Sequence, residues 1–187
     1  MAASYTDILL GRLALQNGVV GGDQLRECLN AQEAGKRAGV EQTLSQVLVK
    51  RGYLTRAQQR DLEAARDVAV RARRAKVAVQ LLLRHGRPAE AILQGFYQEL
   101  KAQDFPLEFS VVLEQQGHLS PQERAGLEQA IERAISSLHQ REAEELARLV
   151  EQHAGLRPRP PVAPQPPAPP AYALPEGAAA PYAPPPP

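Results

Sequence analysis

The side chains that most often carry catalysis are few and scattered in this chain of 187 residues. The single cysteine is Cys28, and the four histidines form no pair at the i, i+4 spacing of a helical metal site. The sequence contains neither a His-Glu-x-x-His motif nor a Gly-x-x-x-x-Gly-Lys-Ser/Thr phosphate loop. The sequence therefore predicts a protein that is not an enzyme and that uses no cofactor or metal ion.

Cys28 occupies an apolar position of a sequence repeat described below, which predicts a buried, structural thiol rather than a nucleophile. One cysteine cannot form an intramolecular disulfide, so a reducing cytoplasm is the expected location. The N-terminal residues lack the pattern of a signal peptide. The longest apolar run, from Val77 to Leu83, is interrupted by Gln80, so we expect no membrane span.

The strongest local concentration of charge lies in the segment from Arg66 to Lys76, which carries four arginines and one lysine. On a helix, such a segment is one hypothesis for a nucleic-acid phosphate stripe. The formal net charge of the chain is only +1, however, and no aromatic residues interleave with these cations. Nucleic acid is therefore a disfavoured partner and stands as the second alternative function.

Four glycines mark an internal repeat with spacings of 34, 34 and 31 residues: Gly18, Gly52, Gly86 and Gly117. Ten residues after each glycine stands an apolar side chain: Cys28, Leu62, Phe96 and Leu127. The glycine is suited to the left-handed conformation that ends a helix. Thr55 and Ser120 follow at positions typical of an N-cap, so each copy is predicted to form a helical hairpin. The third copy is the weakest, because Pro88 replaces an apolar residue.

The predicted fold is all-α: an array of about four degenerate helical hairpins over residues 1–154. Two helices are expected to exceed the repeat, from Arg56 to Arg84 and from Pro121 to His153. The apolar stripe of the second breaks at Arg141 and Glu142. Twelve residues are predicted to form the core: Leu13, Leu25, Leu29, Val47, Leu48, Leu54, Leu62, Leu82, Val112, Leu113, Leu119 and Leu127.

The composition changes at residues 155–187, which hold 14 of the 17 prolines. Such a segment has few backbone donors and no periodic apolar face, so a disordered proline-rich tail is predicted there. Proline-rich segments either dock on grooves or serve as passive linkers, and composition alone leaves both interpretations open.

The first two copies resemble a known family. The segment Leu10–Gln32 reads LGRLALQNGVVGGDQLRECLNAQ, and Leu44–Ala65 reads LSQVLVKRGYLTRAQQRDLEAA. Both are similar to the N-terminal, MshE-type helical-repeat domain of type II secretion and type IV pilus assembly ATPases. The resemblance implies a bacterial protein that works in a secretion, pilus or signalling assembly.

Some members of that family are receptors for cyclic di-GMP, so the resemblance also implies a nucleotide pocket. Leu10, Gly11 and Leu44 match its pattern, whereas the arginine expected before Leu-Gly is Leu9 here. Arg12 or Arg37 would have to supply the missing cation. A candidate pocket of Leu10, Gly11, Arg12 and Leu44 therefore makes a cyclic di-GMP sensor the first alternative.

The function predicted first is a non-catalytic protein–protein interaction or adaptor module. Its partner is expected to bind in a groove between hairpins, because adjacent hairpins pack against one another and leave a concave seam.

Overall fold

The computed structural model describes residues 3–86 and 88–155. This part of the chain contains seven α-helices and no strand, as the all-α prediction requires. The helices are α1 (Tyr5–Gln16), α2 (Gly22–Arg37), α3 (Leu44–Lys50), α4 (Arg56–His85), α5 (Glu90–Ala102), α6 (Phe109–Gln115) and α7 (Pro121–Gln152). The tail predicted over residues 155–187 lies, apart from Gly155, outside the described residues.

Three of the four anchor glycines make the same turn. Gly18 has a φ of 65°, and the two residues after it both donate their N–H groups to the carbonyl of Ala14. Gly52 and Gly117 repeat this arrangement at the ends of α3 and α6. The glycine in the left-handed conformation thus lets the following N–H groups donate to a carbonyl at each helix end that has no partner within the helix.

Gly86 also has a left-handed backbone, with a φ of 68°, and it caps α4. The turn differs from the other three because Pro88 stands where they have Val20, Leu54 or Leu119. Proline has no N–H, so it cannot donate the second bond back to the helix end. The third copy of the repeat is therefore weak at the position where its turn differs from the other three.

The four predicted hairpins are built from seven helices because copies two and three share α4. This 30-residue helix is the second arm of one hairpin and the first arm of the next. Two units result, each with its own core. The first consists of α1, α2, α3, the first half of α4 and the end of α7, and the second of the rest of α4, α5, α6 and the first half of α7. The two long helices that the sequence predicts are confirmed.

Helix α7 crosses both units. Leu127 and Ile131 pack in the second core, whereas Leu146 and Val150 pack in the first. The break that the sequence shows in the apolar stripe, at Arg141 and Glu142, lies between these two sections of the helix. The interruption thus marks the junction of the two cores.

A second, longer repeat relates the two units at an offset of 65 residues. Ser45 is buried as the second residue of α3 and donates to Glu63 at 2.6 Å. Ser110 is buried as the second residue of α6 and donates to Glu128. The bond from Ser45 lowers the pKa of Glu63 from its ordinary value. In the sequence, the shorter glycine-anchored repeat obscures this correspondence.

The end of α7 is fastened to the start of α2. Gly22 donates its N–H to the carbonyl of His153 at 3.2 Å, and Gly155 donates to Asp23 at 2.8 Å. A Cβ at Gly22 would lie 2.3 Å from the carbonyl oxygen of Val150. Only glycine therefore permits this close approach.

The predicted core is confirmed. Nine of the twelve residues are buried, and Leu13, Val112 and Leu119 are half-buried against it. Predicted caps at Thr55 and Ser120 are also present as full capping boxes. In the described part of the chain, each helix is too short or too polar to traverse a lipid bilayer.

Candidate functional site

The residues of the candidate nucleotide pocket do not line one cavity. Leu10 and Leu44 are completely buried in the first core, each 0% exposed. Gly11 faces Leu25 and Leu146, whose side chains would lie 3.4 Å from an added Cβ. The physical reason is that α7 returns and covers this face of α1, which a motif on α1 alone cannot reveal.

Arg12, by contrast, lines a cleft. Arg37, the alternative cation, lies at the end of α2 and pairs with Glu33 at 2.8 Å. Leu44 has a structural role, because its N–H donates to Asp7 at 3.0 Å and a buried carboxylate thereby caps the start of α3. Asp7 also accepts hydrogen bonds from Gln32 and Ser4, both at 2.8 Å.

The cleft at Arg12 has a volume of about 370 Å³ and lies among α1, α4, α5 and α7. We call it the arginine cleft. Its polar lining residues are Tyr5, Arg12, Gln16, Arg73, Lys76, Tyr97 and Glu142. Its apolar lining residues are Leu9, Leu13, Ala69 and Ala72. The structure thus joins one cation from α1 to two from the basic segment of α4.

Glu142 is the anion of the arginine cleft. Its two oxygens accept hydrogen bonds from different guanidinium groups, Oε2 from Arg12 and Oε1 from Arg73. The side chain of Glu142 is only 7% exposed, whereas those of Arg12 and Arg73 are 22% and 35% exposed. A buried carboxylate is tolerated because two charge-assisted hydrogen bonds compensate its lost hydration.

The hydroxyl of Tyr5 is buried in the same cleft and has no hydrogen-bond partner among the described residues. Burial raises the pKa of this hydroxyl, whereas the guanidinium group of Arg73 beside it acts in the opposite direction. Lys76 is exposed and makes no ion pair within residues 3–86 and 88–155. The cleft therefore holds donors that the fold itself does not use.

Most of the basic segment of α4 turns towards the protein. Arg74 is 15% exposed and pairs with Glu128 and Glu132 of α7 and with Glu108, the N-cap residue of α6. Arg71 donates to the carbonyl of Phe105 at 2.6 Å, and Arg66 pairs with Asp67 at 2.7 Å. The stripe on which the nucleic-acid hypothesis rests is thus largely taken up by contacts within the protein, which the sequence did not show.

A second concave surface lies between the end of α4 and the start of α7, and we call it the α4–α7 groove. Its volume is about 520 Å³. Its lining residues are Leu81, Leu82, His85, His118, Leu119, Glu123, Gly126, Leu127 and Ala130. Gly126 has open space where a Cβ would be, so the groove is not closed by its own helix.

The remaining reactive side chains have structural surroundings. Cys28 is fully buried, and burial is the main cause that raises its pKa to about 11. The rings of His139 and His153 bond to the carbonyls of Ala3 and Leu149, each at 2.9 Å. Over the described ranges, no group of three metal-ligating side chains comes together.

Comparisons of this chain with protein-family models, with curated proteins and with solved structures find no match.

Proposed function

We propose that this protein is a non-catalytic interaction module that binds an apolar segment of a partner protein in the α4–α7 groove. The observation that supports this proposal is the position of the groove. It is a concave surface between the end of one hairpin arm and the turn of the next hairpin, at Gly117. Such a seam between helical repeats is where solenoid-like proteins commonly bind their partners.

The chemistry of the lining favours apolar side chains in the partner. Leu81, Leu82, Leu119 and Leu127 supply the apolar surface, and Gly126 leaves room above α7. Three polar side chains also line the groove: His85, His118 and Glu123. An apolar groove with few polar groups matches the way an amphipathic helix is recognised, through side chains spaced three or four residues apart.

The resemblance to the N-terminal domain of secretion and pilus ATPases supports a partner within a bacterial assembly of that kind. That support comes from the matched residues of the first two repeat copies only. The α4–α7 groove belongs to the third and fourth copies, so the partner's identity is a separate question.

Filling the groove tests the proposal. Gly126→Met adds a flexible side chain in open space on α7 and replaces glycine by a better helix former, so the fold should be retained. Gly95→Met is the matched control, because Gly95 also has open space around it and lies away from the groove on α5.

The wild-type chain and both variants are immobilised and exposed to a lysate of the cells that express the protein. We expect a protein that is retained by the wild type and Gly95→Met and is lost with Gly126→Met. Its purified form should then bind in the same order in a calorimetric titration. Equal retention by all three chains would contradict the proposed groove.

A further inference from the structure

The arginine cleft holds more hydrogen-bond donors than its one carboxylate uses. The hydroxyl of Tyr5 is buried without a partner among the described residues, and buried polar groups without partners are uncommon in native proteins. Lys76 brings an ammonium group to the rim. Arg12 and Arg73 each give one nitrogen to Glu142. Arg12 also contacts the exposed Glu145 at 3.3 Å, so the donors left over lie mainly on Arg73.

Because all of these groups are donors, a ligand that fits them has a head group with hydrogen-bond acceptors only. A carboxylate has two oxygens, and Glu142 shows that Arg12 and Arg73 engage one each. A third and fourth donor, from Tyr5 and Lys76, require further acceptor oxygens. A phosphate monoester offers three terminal oxygens and a double negative charge, and guanidinium groups match it well.

The lining also defines the rest of the ligand. Leu9, Leu13 and Ala72 supply apolar surface beside the cations, and the ring of Tyr97 stands on the α5 side. A volume of about 370 Å³ lies in the range of small-molecule sites. We propose that the arginine cleft binds a small organic phosphate monoester whose apolar or aromatic part lies on these residues.

Glu142 competes with the ligand in this site, because its carboxylate already binds the guanidinium groups that the phosphate needs. A bound phosphate must share Arg12 and Arg73 with this carboxylate. Affinity in the wild type is thereby reduced, and neutralising Glu142 should increase it. A merely structural Glu142 would give the opposite result, since its loss would loosen the cleft.

The experiment titrates phenyl phosphate into the full chain by calorimetry, in a buffer without phosphate or sulfate. Inorganic phosphate and benzoate are titrated separately, since the first lacks the ring and the second lacks the third oxygen. We expect phenyl phosphate to bind at least about tenfold more tightly than either. Equal affinity for inorganic phosphate, or for benzoate, would overturn the assignment of the ligand class, and no heat with phenyl phosphate would overturn the site.

Four variants locate the site. Lys76→Met should weaken phenyl phosphate about tenfold, because a charge-assisted contact is lost from an exposed residue that the fold does not need. Tyr5→Phe should weaken binding several-fold while the melting temperature stays the same or rises, since the hydroxyl has no partner in the described fold. Unchanged affinity in both variants would place any observed binding elsewhere.

Glu142→Gln should bind phenyl phosphate at least about tenfold more tightly than the wild type. Glu145→Gln is the matched control: Glu145 contacts Arg12 at 3.3 Å but is 52% exposed, so its effect should be within about twofold. Weaker binding by a folded Glu142→Gln variant would refute the role given to Glu142. This site is separate from the α4–α7 groove, so either proposal can fail without the other.

Discussion

Gly22 joins the start of α2 to the end of α7, and its replacement by alanine tests that junction. The added Cβ would lie 2.3 Å from the carbonyl oxygen of Val150 and 2.7 Å from the carbonyl carbon of His153. Ordinary contact begins near 3.4 Å, so the end of α7 must move by more than about 1 Å. Both neighbours are backbone atoms, which cannot yield by a change of rotamer.

The movement has a calculable cost. It breaks the bond from Gly22 to His153 and strains the bond from Gly155 to Asp23, each worth about 1 kcal/mol. It also loosens Val150, which is buried in the first core. The better helix propensity of alanine offsets at most about 1 kcal/mol of this loss in the free energy of unfolding. We therefore expect Gly22→Ala to lose about 2 kcal/mol, or about 4–8 °C in melting temperature.

The assay combines a thermal melt with hydrogen exchange of the segment from Leu146 to Gly155. Faster exchange there identifies undocking of α7 even if the rest of the fold melts late. Gly95→Ala and Gly126→Ala are the controls; both have open space at the Cβ and should be neutral or stabilising by up to about 1 kcal/mol. A Gly22→Ala variant with the wild-type melt and wild-type exchange would refute the reasoning.

Three further predictions concern single residues of the first unit. The hydrogen bond from Ser45 lowers the pKa of Glu63. This hydrogen bond therefore stabilises the fold above the ordinary pKa of glutamate, and the stabilisation is lost as the pH falls through the lowered pKa of Glu63. Ser45→Ala should therefore reduce the free energy of unfolding at neutral pH, and urea titrations should show a smaller difference from wild type at about pH 3; a difference that does not shrink would contradict this. Cys28 should react with a thiol reagent at about pH 8 only after denaturant opens the first core, since its pKa is about 11 and its side chain is buried; rapid labelling of the native protein would be inconsistent with the structure. Leu48→Asp should unfold the first unit, because it places an unpaired charge at a position that is 0% exposed, and a circular-dichroism melt equal to that of the parent would show the expectation to be wrong.

The sequence predicted the elements of the fold well because their signals are local. Glycine at a helix end, Thr55 or Ser120 at a helix start, and a period of 3.6 residues each act over one or two turns. The bounds of α4 and α7 were accordingly predicted to within one residue at each end. The sequence also explains why the turn of the third copy differs, because Pro88 has no N–H to donate.

The sites depended on contacts between residues far apart in the chain. Glu142 lies 130 residues from Arg12 and 69 from Arg73, and it appeared in the sequence only as a break in an apolar stripe. Arg74 appeared as part of a basic surface, whereas three carboxylates of the second unit enclose it. Leu10, Gly11 and Leu44 matched a pocket pattern, whereas the return of α7 encloses Gly11 in the first core.

The sequence by itself thus determined where the two long helices begin and end and which residues cap them. Tertiary structure alone decided which helix faces are covered, which cations are compensated and where concave surfaces remain. The physical reason is that backbone caps and periodicity are properties of neighbouring residues, whereas burial and ion pairing depend on how helices cross.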